Sequence, residues 1–179
     1  MERCRVVFSG SGGQGVITAA IILAEAAVLH EGLNAVQAQS YGPEARGGAT
    51  RSDVIISDSE IRFPKVLQPN VLVCLTQQAY NKFHPIIRPG GVLITDPRFV
   101  KIERRVDARQ RELPMYQAVM EKIGKPIVFN ICMLGALIGI TGLVQPKSVI
   151  KVLEKRIPSN FMEMNRKALE LGLDLSHLA

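Results

Sequence analysis

The chain has 179 residues, 47% of them hydrophobic and 21% charged, with a formal net charge of +6. That length suits one domain, 1–179, with a sizeable core, and the balance excludes a disordered or low-complexity chain. The positive charge brings no Lys/Arg run with interleaved aromatics and there is no Trp, so nucleic acid is not an expected partner. In chain order, "RVVF" (Arg5–Phe8) reads as a buried strand, and because it begins almost at once no signal peptide is expected. "SGSGGQGV" (Ser9–Val16) is a glycine turn, and a helix follows from about Gly15 to Glu31, stopped by Gly32. Its Ala19, Ala20, Leu23, Ala24 and Ala27 make a small, tightly packing face. "LNAVQAQ" is the second strand and "SYGPEARGGAT" a loop. "RSDVIIS" and "EIRFP" flank Asp58-Ser59 and predict two strands joined by a tight turn.

"NVLVCLT" is a further buried strand, "QQAYNKFHPII" a helix with Pro85 in its last turn, and "VLITD" a strand entered through "RPGG". The charge-dense stretch from Arg98 to Glu112 predicts an edge strand plus a loop, a solvated edge or else a subunit or ligand contact. "PMYQAVMEKIG" is an amphipathic helix with Pro114 at its start and Gly124 at its stop. The uncharged run from Ile127 to Gln145 is nearly long enough to span a membrane, but Gly135, Gly139, Thr141 and Gly142 weaken it and Asn130 divides it. It reads instead as a short strand, Pro126 to Phe129, and a buried helix capped by Asn130 and ended by Gly142, so no membrane is expected. "PKSVIKVLEKRI" and "SNFMEMNRKALELG", the latter ending at Gly172, complete the chain as helices. The alternation predicts a three-layer α/β/α Rossmann-like domain with a mixed, mainly parallel sheet and C-terminal helices.

Gly10, Gly12 and Gly15 satisfy G-x-G-x-x-G after a strand and before a helix, the pattern in which bare backbone N–H groups hold a pyrophosphate. The acid expected at the end of strand two is missing, since "AVQAQS" offers only Gln37 and Gln39, and no P-loop lysine follows the glycines. Gly13 and Gln14 exceed what helix–strand packing alone requires. Together with Ser11 they mark a surface against which something outside the domain fits, with Gln14 placing an amide at the helix mouth. A free-standing nucleotide-binding module remains the alternative. Cys4, Cys74 and Cys132 are too widely spaced for a disulfide framework, a metal site or a cluster, and suit the cytoplasm. His30, His84 and His177 have no ligand spacing.

"GSGGQGVITAAIILAEAA", "QSYGPEARGGATRSDVIIS", "PNVLVCLTQQAYNKF", "GGVLITD" and "NICMLGAL" together resemble the gamma subunit of 2-oxoacid:ferredoxin oxidoreductases, the 2-oxoglutarate type most of all. The likeness runs from Arg5 to about Leu143 and is carried by the pairing of GGQG with SYGPEARGG. It implies an enzyme complex that decarboxylates a 2-oxoacid on thiamine diphosphate with Mg, passes the acyl group to coenzyme A and sends electrons through iron–sulfur clusters to ferredoxin. The implied partners are alpha, beta and ferredoxin-like delta subunits. Independently of the resemblance, the many apolar residues and the glycine-rich loops on one edge predict self-association as a homodimer in isolation. This chain lacks cluster cysteines and a thiamine diphosphate motif, so no catalytic residue and no cofactor of its own are expected. Its role is to complete the active-site wall on the coenzyme A side. The expected contacts are Gly10, Ser11, Gly12, Gly13, Gln14 and Gly15 in the first loop and Tyr41, Glu44, Arg46 and Gly47 in the second. Arg46 offers a bidentate cation for phosphate or carboxylate, and Tyr41 and Glu44 fix a partner chain or the ligand. The structural alternative pairs Arg46 with Glu44 or Asp53 inside the subunit.

Overall fold

Apolar runs bounded by glycine and proline set the element order. A computed structural model describes residues 3–39, 49–103 and 106–177. Strand β1 (Cys4–Gly10) leads to α1 (Val16–His30), β2 (Asn34–Gln39), β3 (Thr50–Ser57) and β4 (Val71–Cys74). Helix α2 (Gln77–Phe83) runs into a 3-10 turn, His84–Ile86, and then come β5 (Gly91–Thr95), β6 (Ala108–Glu112) and α3 (Met115–Lys122). A second 3-10 turn, Pro126–Val128, opens α4 (Phe129–Thr141), followed by α5 (Pro146–Arg156) and α6 (Ser159–His177). The six-stranded sheet has the order β2-β3-β1-β4-β5-β6. The pairs β1–β4, β4–β5 and β5–β6 are parallel, while β3 is antiparallel to both β1 and β2.

Because successive strand side chains point to opposite faces, Val6, Phe8, Val73 and Ile94 join α1 and the helices from α3 to α6 in one core. Val7, Leu72, Cys74 and Leu93 meet Ala79, Tyr80 and Phe83 of α2 in a thinner one. The layering is that of the expected mixed α/β class. Strands buried on both faces read as continuous apolar runs, which is why β4 and β5 stood out in the sequence.

Three expectations are corrected. "EIRFP" is not a strand: β3 has β2 on one side and β1 on the other, so a strand returning through Asp58-Ser59 has no free edge to join. The chain crosses the face instead, and Ile61 and Val66 pack into the thinner core. Pro126 to Phe129 is likewise no strand. Pro126 has no N–H for a ladder and starts a 3-10 turn, so α4 begins at Phe129 and Asn130 lies within its first turn instead of capping it. Finally, α6 does not stop at Gly172 but continues to His177.

Gly172 stays helical because its missing side chain serves the neighbouring helix. A Cβ there would overlap the carbonyl oxygen of Cys132 and lie 2.7 Å from the Ala136 nitrogen, and one on Gly135 would overlap the Leu169 carbonyl. Helices α4 and α6 therefore touch backbone to backbone. This contact buries α4, whose residues from Ile131 to Ile138 are all inaccessible. Among the described residues no helix is long and apolar enough to cross a membrane. Gly142, in the left-handed region with φ of +63°, ends α4 as expected. Glu31, just beyond α1, caps α5: its carboxylate accepts from the Gln145 N–H (2.9 Å) and the Ser148 hydroxyl (2.5 Å). These bonds hold its pKa below the usual carboxylate range.

The helix mesh yields a direct test. Gly172→Ala introduces a methyl group where backbone already sits, and is expected to lower the unfolding free energy by about 1–3 kcal/mol, read from urea denaturation midpoints. The same change at Gly32, beyond the end of α1 with no atom within 4 Å of a Cβ, is expected to cost about 1 kcal/mol through its positive φ alone.

Candidate functional site

The glycine turn connects the end of β1 to the start of α1. Gly13 and Gly15 take φ of +87° and +71°, which side chains with a Cβ rarely adopt. Inside the turn, the Ser11 N–H donates to Gln14 Oε1 (2.8 Å), the Gln14 N–H to the Ser11 carbonyl (3.3 Å) and Gln14 Nε2 to the Leu75 carbonyl (3.0 Å). Gln14, expected to present its amide at the helix mouth, thus uses both ends of that amide to staple the turn to the end of β4. Gly10 makes room for this, since a Cβ there would lie 2.5 Å from Gln14 Oε1. Gly12 and Gly13 are different: both are exposed and neither has an atom within 4 Å of an added Cβ. Two glycines of the turn are held by packing, and two face open space.

Gly15 fixes the second wall. Its added Cβ would stand 2.6 Å from Asn130 Nδ2, and that amide donates to the Gly15 carbonyl at 3.4 Å. The starts of α1 and α4 therefore meet, and neither has a side-chain cap. Free N–H groups at a helix start carry partial positive charge. Helix α1 begins straight from the glycine turn, whereas the first amide of α4, that of Phe129, donates to the Pro126 carbonyl. Beside this meeting point lies a cavity of about 680 Å³, walled by Gly13, Gln14 and Gly15 on one side and Phe129, Asn130, Arg98 and Tyr116 on the other. Phe161 (47% exposed) and Ile127 (78% exposed) stand among its lining residues.

The Arg98 wall is built from β5. Asp96, just past the strand and fully buried, accepts from the Arg98 N–H (2.9 Å) and the Tyr116 N–H (2.7 Å) through its two carboxylate oxygens. One side chain thereby ties the β5 exit to the first turn of α3. Burial pushes its carboxyl pKa up, against the lowering effect of those hydrogen bonds. The Arg98 guanidinium lies 4.7 Å from the Tyr116 ring centroid, and Tyr116 packs edge-on against Phe99 (5.2 Å) and Phe129 (5.7 Å). Among the described residues no Cys, His, Asp or Glu lines this cavity. Cys74 and Cys132 are buried, and desolvation pushes both thiols up to about 12 and that of Cys4 to about 11, so all three are poor nucleophiles.

Tyr41, Glu44, Arg46 and Gly47 lie outside the described residues. The described flanks of their loop end at Gln39 and resume at Ala49. Thr50 pairs with Gly10 and Ser52 with Gln39, so the described flanks reach the same sheet edge as the glycine turn. The Asp53 carboxylate, one alternative partner for Arg46, is held by Arg51 through two bonds of 2.7 and 2.9 Å. Gln37 Nε2 donates to Ser52 Oγ (2.8 Å), so it does not stand in for a ribose-binding acid. Sequence reasoning gave Asn130 a capping role and left Tyr116 and Phe129 without one. The signal for Asn130 was present, as the only amide between Ile127 and Val144 in an otherwise apolar run.

Fold and site define an α/β domain with a glycine turn opening on an amphipathic cavity. The chain belongs to the pyruvate ferredoxin/flavodoxin oxidoreductase family, whose model matches residues 5–175. It is 44% identical over 176 residues to the 2-oxoglutarate synthase subunit KorC of Methanocaldococcus jannaschii, covering 97% of this chain and 94% of that protein. The gamma subunit of a keto/oxoacid ferredoxin oxidoreductase from Geobacter sulfurreducens superposes with a TM-score of 0.90 at 40% identity, covering 98% of this chain and 99% of that one. The same fold recurs in a 2-oxoglutarate:ferredoxin oxidoreductase from Magnetococcus marinus, with a TM-score of 0.89 at 20% identity, over all of this chain and 32% of that one.

Asp96 makes the wall testable. Asp96→Asn keeps the shape but turns an NH2 group toward one of the two backbone N–H donors. The expected loss is about 1–3 kcal/mol of stability, measured by chemical denaturation, together with a change in Tyr116 fluorescence as its anchor is released.

Proposed function

We propose that this chain is the gamma-type subunit of a 2-oxoglutarate:ferredoxin oxidoreductase, and that its cavity completes the active-site wall on the coenzyme A side. The reaction decarboxylates the 2-oxoacid oxidatively, joins the acyl group to coenzyme A, releases CO2 and passes two electrons to ferredoxin. The choice of 2-oxoacid rests on relatives named as 2-oxoglutarate synthase subunits, 44% and 42% identical over nearly the whole chain.

One observation carries the assignment of a supporting role. Among the described residues the cavity wall holds helix starts, Arg98 and apolar side chains, but no Cys, His, Asp or Glu to act as nucleophile, acid or base. Such a wall binds and orients without performing bond chemistry. Among the described residues no three His, Cys, Asp or Glu side chains group as a metal site. With the three cysteines far apart in sequence, these residues do not fit an iron–sulfur cluster or Mg-bound thiamine diphosphate. Those groups are assigned to the partner alpha, beta and ferredoxin-like delta subunits.

Coenzyme A does fit the wall. Its phosphates suit the positive end of α1 and the Arg98 guanidinium, and its pantetheine arm suits the apolar surface of Phe129 and Ile127. Gly12 and Gly13 give close approach to the backbone, and Gly10, Ser11, Gln14 and Gly15 hold the turn that presents them. Tyr41, Glu44, Arg46 and Gly47 are proposed as further contacts, with Arg46 as the cation for a phosphate or a facing carboxylate. The ligand bound against the turn is either part of coenzyme A or the facing loop of the catalytic subunit.

The test pairs two glycines of like conformation. Gly13 and Gly32 both have positive φ and no atom within 4 Å of an added Cβ, but only Gly13 lines the cavity. In the assembled complex, Gly13→Val and Arg46→Ala are each expected to raise the KM for coenzyme A by roughly tenfold or more, while Gly32→Val leaves it unchanged. Equal effects of the two valines, or none from either loop, would place the ligand elsewhere. Micromolar binding of NAD, NADP, FAD or ADP by the isolated chain, measured by calorimetry, would favour a nucleotide-binding module instead.

A further inference from the structure

At the opposite edge of the sheet, where β1, β4, β5 and β6 begin, two adjoining concavities share Arg88 and Pro89. Arg5, Lys65, Phe63 and Leu67 line the first, and Arg109 and the end of α4 line the second. Among the described residues neither is lined by a carboxylate. Arg5, Lys65, Arg88 and Arg109 form no ion pair among the described residues. The Glu60 carboxylate is engaged by Arg62 and its carbonyl by Arg3. Asp107, just before β6, accepts the Gly90 N–H through its backbone carbonyl at 2.7 Å, and its carboxylate is not among the groups lining either concavity.

The framework beneath these cations is rigid. Asn70 accepts from the Arg5 N–H through Oδ1 (2.9 Å), donates its own N–H to the Arg5 carbonyl (2.8 Å) and accepts from the Val92 N–H (2.8 Å), while the Arg88 N–H donates to the Pro69 carbonyl (3.1 Å). Gly91 permits this knot, since a Cβ there would lie 2.9 Å from the Asn70 carbonyl and 3.0 Å from that of Arg88. Next to the cations, Phe63 is 52% and Leu67 69% exposed.

Like charges gathered in one concavity without a counter-charge repel one another and attract an acidic surface. Large apolar side chains exposed beside arginine are the makings of a protein interface, whereas a small inorganic anion has no use for them. A second copy of this chain, with a net charge of +6, would bring more of the same sign. We propose that this edge docks an acidic surface of another subunit of the complex, with Phe63 and Leu67 as apolar anchors and Arg5, Lys65 and Arg88 supplying the charge. The inference rests on the subunit reading but not on the coenzyme A cavity, which lies at the other edge.

The experiment uses the full chain, tagged and co-expressed with the remaining subunits, and reads the fraction of partner retained on purification across a sodium chloride series from about 50 to about 500 mM. The double variant Lys65→Glu/Arg88→Glu is expected to lower the salt concentration of half-dissociation by roughly threefold or more. Leu67→Asp is expected to weaken retention at every salt concentration. Lys151→Glu/Lys155→Glu, which makes the same change of charge on α5, is expected to have no effect. Circular dichroism checks that each variant folds. Unchanged retention by the first two variants, or an equal loss from the α5 control, would overturn the proposal. So would release by inorganic phosphate well beyond that caused by chloride at matched ionic strength, which would indicate a small-anion site. If the unaltered chain retains no subunit at any salt concentration, the subunit reading itself fails, and this docking with it.

Discussion

The contact between Gly15 and Asn130 is the constraint around which the rest is arranged. It joins the starts of two helices 115 residues apart in sequence, and it exists only because Gly15 has no Cβ and accepts a left-handed backbone. Everything that holds α4 in place serves it indirectly. The glycine mesh with α6 lets the two helices approach backbone to backbone, and the apolar surface on all sides of α4 leaves it no alternative position. Were α4 to move away by even the width of a methyl group, the cavity would lose its second wall.

The two edges of the sheet divide the work. At the C-terminal edge the chain offers two helix starts, an arginine stacked on a tyrosine and an apolar floor, which favour an anionic, partly apolar ligand. At the N-terminal edge it offers fixed cations without counter-charges beside exposed Phe63 and Leu67. Among the described residues neither edge gathers three His, Cys, Asp or Glu side chains, and the Cys4 thiol at the N-terminal edge is pushed up to about 11 by burial. The proposed subunit role gives both edges something to lie against.

How much of this was legible in the sequence depended on whether the cause was local. The strands β1, β4 and β5 and the helices α1 and α3 were readable because apolar period and flanking glycine or proline are properties of a short window. The pairing of GGQG with SYGPEARGG made the family readable as well. The failures share a cause of the opposite kind. "EIRFP" looks like a strand until the sheet order shows β3 already flanked on both sides. Gly172 looks like a helix stop because glycine just past a helix usually is one; its reason is a carbonyl on α4. Asn130 looks like a cap, and its amide instead reaches the glycine turn. At the site itself, the sequence made the open glycines visible but not that Gln14 is consumed within the turn. Nor did it bring Arg98, Tyr116 and Phe129 to the same cavity, since the carboxylate that organises that wall, Asp96, acts through backbone N–H groups that no residue pattern reveals.

In the proposed complex, the cavity formed where the glycine turn meets the start of α4 becomes an interior surface and contacts coenzyme A. Amide hydrogen exchange on the assembled enzyme, with and without coenzyme A, tests it most directly. The account predicts that Gly12–Gly15 and the first turn of α4 exchange more slowly in the complex than in the isolated chain, and more slowly again when coenzyme A is added, while the amides after Gly32 do not change. Exchange at the turn and at α4 that is the same in all three states would contradict it.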